Sequence, residues 1–184
     1  MNKSHIWRKL GWLLALTGML LPFGALARIP EETHAILQNL AQVTYKDIKL
    51  PKDALGMKLP QDWTNRIGDQ GGIAYFDPRN PDVLGSVFLL DGEPSEADIL
   101  SELGKRFVTT WMVSDRQTEE TVSGLTAEVY VLEGRVVGEE TRLLVGVLHV
   151  TPQKSAFVIA SAPETWYRSY EPVFLDILKS VTKL

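Results

Sequence analysis

The chain has 184 residues, 45% of them hydrophobic, no cysteine and a formal net charge of −4. Without cysteine there are no disulfide staples, no thiol chemistry, no thiolate-held metal and no acylated lipoprotein cysteine, so stability has to come from a packed core. The acidic balance, with no basic cluster, excludes a nucleic-acid face, which needs Lys and Arg to displace counterions from phosphates, and it disfavours anionic lipid surfaces for the same reason.

The first segment reads as a secretory leader. Lys3, Arg8 and Lys9 form a basic start, an apolar run follows from Leu10 to about Ala25, and Ala25-Leu26-Ala27 is the small-x-small triplet that signal peptidase cuts after. The rival reading is a retained anchor, but Pro22 and Gly24 interrupt the run, which is shorter than the ~20 residues of a spanning helix. Cleavage removes three basic side chains and takes the net charge from −4 to about −7, leaving 157 residues. That is one domain, able to bury ~68–70% of its unfolded surface without staples. No later segment is long and apolar enough to span a bilayer, so the expected location is periplasmic or otherwise extracytoplasmic.

Pro30-Glu31-Glu32 followed by Ile36, Leu37 and Leu40 predicts a helix over 30–43, with proline in the first turn and early acids complementing the dipole. Between Lys46 and Pro60, two prolines, Gly56 and scattered charges predict an extended linker ending in a short strand over 56–59. Residues 28–55 are thus read as an N-terminal helix and linker, and 56–184 as the domain. Strands are expected over 72–76 and 84–90, antiparallel neighbours bounded by Asp77-Pro78, Asn80-Pro81 and Asp91-Gly92. Ser95, three residues before Asp98, signals a helix start, and Leu100, Leu103, Phe107, Val108 and Trp111 continue it at helical spacing.

Three strands over 117–122, 125–132 and 139–151 read as a meander, joined at Ser123-Gly124 and over 134–138. In the longest, Leu143, Val145 and Val147 oppose Leu144, Leu148 and Val150, which predicts a central strand covered on both faces. A last strand over 156–161 alternates in the same two-sided way. Val173, Phe174, Ile177, Leu178 and Val181 form a final helical stripe just after Pro172, read as a first-turn proline. Runs of strands with helices at the start, middle and end give an α+β class: an antiparallel β-sheet with helices on both faces.

The segment Gly56-Met57-Lys58-Leu59-Pro60-Gln61-Asp62-Trp63 and the ending Phe174-Leu175-Asp176-Ile177-Leu178-Lys179-Ser180-Val181 resemble the PsbP-like fold, in its DcrB-like periplasmic branch. The resemblance covers about residues 56–183 and rests on a Pro-x-x-Trp turn and an Ile-Leu-x-Ser ending. It implies an α/β/α sandwich of non-enzymatic, accessory or binding character, and it brings no catalytic set to carry over, because fold alone does not decide function.

Site candidates are few. After cleavage only His34 and His149 remain for acid–base or zinc chemistry. A hydrolase would pair His149 with Ser155 or Ser161 and a carboxylate, yet neither serine lies in a Gly-x-Ser-x-Gly elbow; the plainer reading is a satisfied histidine near a strand end. His34, beside Glu31, reads as exposed. Asp91, Glu93, Glu96 and Asp98 resemble a calcium loop only in acidity, lack EF-hand spacing and suit a helix N-terminus instead. Glu119-Glu120 and Glu139-Glu140 are strand neighbours pointing to opposite faces. Asp69-Gln70-Gly71-Gly72 lacks phosphate-loop spacing.

Trp166, Tyr167 and Arg168 have the composition of an interface anchor, although Trp166 and Tyr170 also suit a cap on the core. The expected function is an exported, non-enzymatic accessory or binding protein. It would associate with a protein of the cell envelope through Trp166, Tyr167 and Arg168, with no cofactor and no metal. The alternative is a binder of a small apolar ligand between sheet and helices, and a hydrolase using His149 ranks third.

Overall fold

Two adjacent strands that are apolar on both faces set the architecture, because each face then needs its own cover. The computed structural model describes residues 43–50, 55–67, 72–107 and 109–184. The expected leader with Ala25 and Ala27, His34 and residues 30–42 of the helix expected over 30–43 lie outside the described residues, and Val43 is not helical.

The strands are β1 (Tyr45–Lys49), β2 (Leu55–Pro60), β3 (Thr64–Ile67), β4 (Ile73–Asp77), β5 (Asn80–Asp91), β6 (Met112–Glu120), β7 (Thr126–Val136), β8 (Glu139–Thr151), β9 (Lys154–Pro163) and β10 (Thr182–Lys183). The helices are α1 (Glu96–Phe107), between β5 and β6, and α2 (Glu164–Lys179), between β9 and β10. Seven strands form one antiparallel sheet in the order β3-β4-β5-β9-β8-β7-β6, and β1-β2-β10 form a smaller one.

On one face Leu143, Val145, Val147, Phe157 and Ile159 pack with Ile99 and Leu103 of α1. On the other, Leu144, Leu148, Ala156, Val158 and Ala160 pack with Val173, Phe174, Ile177 and Leu178 of α2, and with Leu55, Met57 and Leu59 of the small sheet. The helices therefore cover both faces of an antiparallel sheet, and β8 lies inside it between β7 and β9.

The two resemblance motifs meet in space. Trp63 N–H donates to the Pro60 carbonyl at 3.0 Å, and the buried ring lies 5.8 Å from Tyr75, 6.2 Å from Tyr170 and 6.4 Å from Phe174. At the far end of α2, Ser180 Oγ accepts from Lys58 N–H at 2.8 Å and donates to the Ile177 carbonyl at 2.7 Å. The middle of the β4–β5 pair is also held closely: a Cβ at Gly85 would fall 2.4 Å from Tyr75 Cζ.

Four expectations need correction. The linker before Pro60 contains β1, paired with β2 from Tyr45↔Pro60 to Lys49↔Gly56; its charged side chains hid it, yet Tyr45 Oη donates to Asp176 Oδ2 at 2.9 Å and ties the strand to α2. Packing of the domain thus begins before residue 56. The helix predicted through Trp111 stops at Phe107, although Trp111 still packs edge-on to Phe107 at 5.4 Å. The strand expected over 117–122 begins at Met112, because an edge strand with mostly exposed residues shows no alternation.

Finally, α2 begins at Glu164 and Pro172 lies inside it. Pro172 removes the bond to the carbonyl of Arg168, and both residues are on the exposed side of the helix, where losing that bond costs least. Trp166, Tyr167 and Arg168 therefore belong to the helix rather than precede it.

The β7–β8 connection is a two-residue loop between the Val136↔Glu139 pair. Val137 has φ 49° and Gly138 φ 89°, the sign pattern of a type I′ turn, which favours Asn-Gly. Valine is a poor occupant, since a β-branched side chain in the left-handed region crowds its own backbone. Val137→Asn is expected to raise stability in urea by about 1 kcal/mol, the lower end of that steric cost; an unchanged or lowered midpoint would show that the turn is unstrained.

Candidate functional site

Consecutive helix residues are turned by about a quarter of a circle or more, so Trp166, Tyr167 and Arg168 face three ways. Arg168 is exposed, Trp166 is half-buried against the α2-side core, and Tyr167 is fully buried. Only Trp166 and Arg168 of the three reach the surface. Tyr170, one turn on, is buried as well and donates to Asp77 Oδ2 at 2.8 Å.

Buried Tyr167 lies beneath Arg142, a residue of a polar site that sequence reading missed. The register of β7 and β8 places Glu133 opposite Arg142 and Arg135 opposite Glu140. Arg142 Nη2 lies 2.9 Å from Glu133 Oε1, its Nε pairs with Glu164 of α2, and its guanidinium lies 5.7 Å from the centre of the Tyr167 ring. Arg135 and Glu140 pair at 3.3 Å. These carboxylate and guanidinium groups, with Thr109 and Thr110, line a cavity of about 570 Å3 at the notch where β6 begins and the β7–β8 hairpin runs on past it. The sequence signal was the alternate placing of Glu133 and Arg135, Glu140 and Arg142, which has no meaning until the hairpin register is known. Trp111 seats on Gly134 at the hairpin base, where an added Cβ would fall 2.6 Å from the indole.

His149 lies opposite Ser155 across β8 and β9, with Nδ1 3.4 Å from Glu93 Oε1. Ser155 is buried and its Oγ donates to the Gly92 carbonyl at 2.9 Å, so its proton is committed to the backbone. Ser161 lies opposite Leu143, some six residues from His149 along the strand, or roughly 20 Å. The arrangement holds the loop before α1 against the β8–β9 hairpin. In that loop Ser95 Oγ accepts from Asp98 N–H at 3.3 Å while Asp98 accepts from Ser95 N–H at 3.2 Å, a reciprocal capping pair. Glu96 pairs with Arg116, and Glu119 pairs with Lys179 at 2.9 Å. Among the described residues no group of three or more His, Cys, Asp or Glu side chains is placed to hold a metal ion.

All five tyrosines are held above their ordinary pKa. For Tyr45, Tyr75, Tyr130, Tyr167 and Tyr170 the largest cause is burial, which penalises the phenolate. The folded state therefore favours the neutral phenol. This stabilisation is complete below the unfolded tyrosine pKa of ~10 and is lost as pH rises beyond it. A spectrophotometric titration should show almost no tyrosinate until the circular dichroism signal collapses in the same alkaline step. Tyrosinate rising near pH ~10 with the fold intact would contradict the burial of these rings.

No family model matches the sequence and no curated protein matches it. Solved structures do match. The solution structure of cyanobacterial PsbP (CyanoP) from Synechocystis sp. PCC 6803 is similar with a TM-score of 0.56 and 12% identity, covering 89% of this chain and 100% of that one. A point mutant of Mog1 gives a TM-score of 0.59 and 10% identity over 76% of this chain and 96% of that one. A Bacteroides thetaiotaomicron protein gives 0.52 and 11% over 76% of this chain and 48% of its own. The fold is PsbP-like. At these identities the likeness is one of fold, and the DcrB-like branch is a matter for the proposal below.

Proposed function

We propose that the protein is an exported accessory subunit, of the DcrB-like branch of the PsbP-like fold, that acts by association with a protein of the cell envelope and not by catalysis. The observation that carries the reading is the first turns of α2, where Arg168 is exposed and Trp166 half-buried against the core, on the helix whose first residue, Glu164, pairs with Arg142 at the notch. Tryptophan and arginine are the side chains most enriched at binding hot spots.

Export is supported by the basic start, the apolar run and the Ala25-Leu26-Ala27 triplet. Among the described residues no helix is long and apolar enough to cross a membrane. The branch is supported by the Pro-x-x-Trp turn, whose Trp63 packs on Tyr170 and Phe174 of α2, and by the Ile-Leu-x-Ser ending, which closes α2 itself. The apolar-ligand reading has less support, because side chains from sheet and helices already fill both layers, Phe88 stacking on Phe157 at 5.7 Å among them. A hydrolase has less still, given the hydrogen bond that commits Ser155.

Crosslinking of the tagged full-length protein in cells, followed by affinity purification, is expected to recover one envelope protein. Arg168→Ala should lose it while changing stability by no more than about 0.5 kcal/mol, as an exposed residue does. Trp166→Ala should also lose it, with some loss of stability because the ring is half-buried. A complex that survives both substitutions would sink the assignment of this surface, and a lipid carried through native mass spectrometry would favour the apolar-ligand reading.

A further inference from the structure

We infer that the end of the β7–β8 hairpin is a docking element, which inserts Val137 into an apolar socket on a partner protein that is basic around that socket. The inference rests on the accessory reading and names a second contact for it.

Two independent features coincide at this end. The first is Val137 itself. Among the described residues it is the one non-glycine residue with positive φ, and it is 79% exposed. Among the described residues no packing accounts for a valine where asparagine or glycine would sit without strain. A local rule broken without internal compensation is the mark of a functional position. The second is the shape beside it. β6 begins at Met112, opposite Glu133, whereas β7 and β8 remain paired out to Val136↔Glu139. The hairpin therefore projects beyond the sheet, stiffened at its base by Trp111 on Gly134, and the notch at its side is a cavity of about 570 Å3.

Charge selects the partner. Glu133, Glu139, Glu140 and Glu164 outnumber Arg135 and Arg142 around this end, and the whole chain is acidic. Complementary potential then requires Lys or Arg around the socket, and it disfavours a second copy of the same chain.

The test places a photoreactive phenylalanine analogue at position 137 of the full-length chain in its own cells. Parallel chains carry it at 168 and at 122, since Val122 is 78% exposed at the opposite end of β7. The expected result is an adduct with one heterologous protein at 137 and none at 122. That protein, once purified, should bind Val137→Asn at least about tenfold more weakly than wild type, although Val137→Asn melts higher than wild type. Glu139→Lys should weaken binding and flatten its salt dependence.

Equal binding by wild type and Val137→Asn overturns the inference, as does an adduct with the mass of two copies of this chain. An adduct at 168 alone removes the hairpin and leaves the accessory reading standing. No adduct at any of the three positions removes both.

Discussion

The fold depends on a carboxylate with no access to water. Asp77, at the end of β4, is 0% exposed and accepts from Arg79 N–H at 2.9 Å, Arg79 Nε at 3.0 Å, Arg79 Nη2 at 3.1 Å and Tyr170 Oη at 2.8 Å. A buried charge survives only when it is paired and its lone pairs are filled, and these four bonds meet both conditions. Arg79 in turn reaches Asp62 in the Pro-x-x-Trp turn at 3.1 Å, and its guanidinium is pushed further above its ordinary pKa, chiefly by the hydrogen bond to Asp77. One carboxylate thus joins the β4–β5 turn, the β2–β3 turn and the second turn of α2.

The orientation of α2 follows from that joint. With Tyr170 turned inward to Asp77 and packed on Trp63, helical geometry sends Phe174 and Ile177 into the same core and Arg168 outward. Tyr167 then lies under Arg142, and Glu164 at the first position closes on the same guanidinium. The polar notch depends in part on how the helix is anchored, since Glu164 of α2 lines it and pairs with Arg142. The hairpin end is set independently by β7–β8 register. The surface assigned to partner binding combines two elements positioned by different physics, one by a buried ion and one by a tight turn.

Much of this was legible in the residues. Two-sided alternation from Leu143 to Val150 and from Ala156 to Ser161 placed both strands inside the sheet and required helices on both sides. Ser95 and Asp98 marked the start of α1, and their side chains make that cap. What stayed hidden was long-range or masked by a local rule. Pro172 looked like a helix start because proline suits a first turn, while the energy that starts the helix eight residues earlier comes from burying Tyr167 and Tyr170. β1 has no alternation to read; it forms because β2 and Asp176 supply its partners. Asp77 and Tyr170 are 93 positions apart. Glu133 and Arg142 meet only because a two-residue loop at Val137 fixes their register, so the notch was absent from any reading that left the loop open.

The central claim is that the bond from Tyr170 to buried Asp77 anchors α2. A double-mutant cycle of Asp77→Asn and Tyr170→Phe, followed by urea unfolding, tests it most directly. Hydrogen bonds to charged groups are worth roughly 1.5–3 kcal/mol, so the account predicts a coupling energy of at least about 1 kcal/mol, with each single variant clearly destabilised. Additive losses agreeing within about 0.5 kcal/mol would contradict it and leave α2 held by its apolar packing and its other polar contacts.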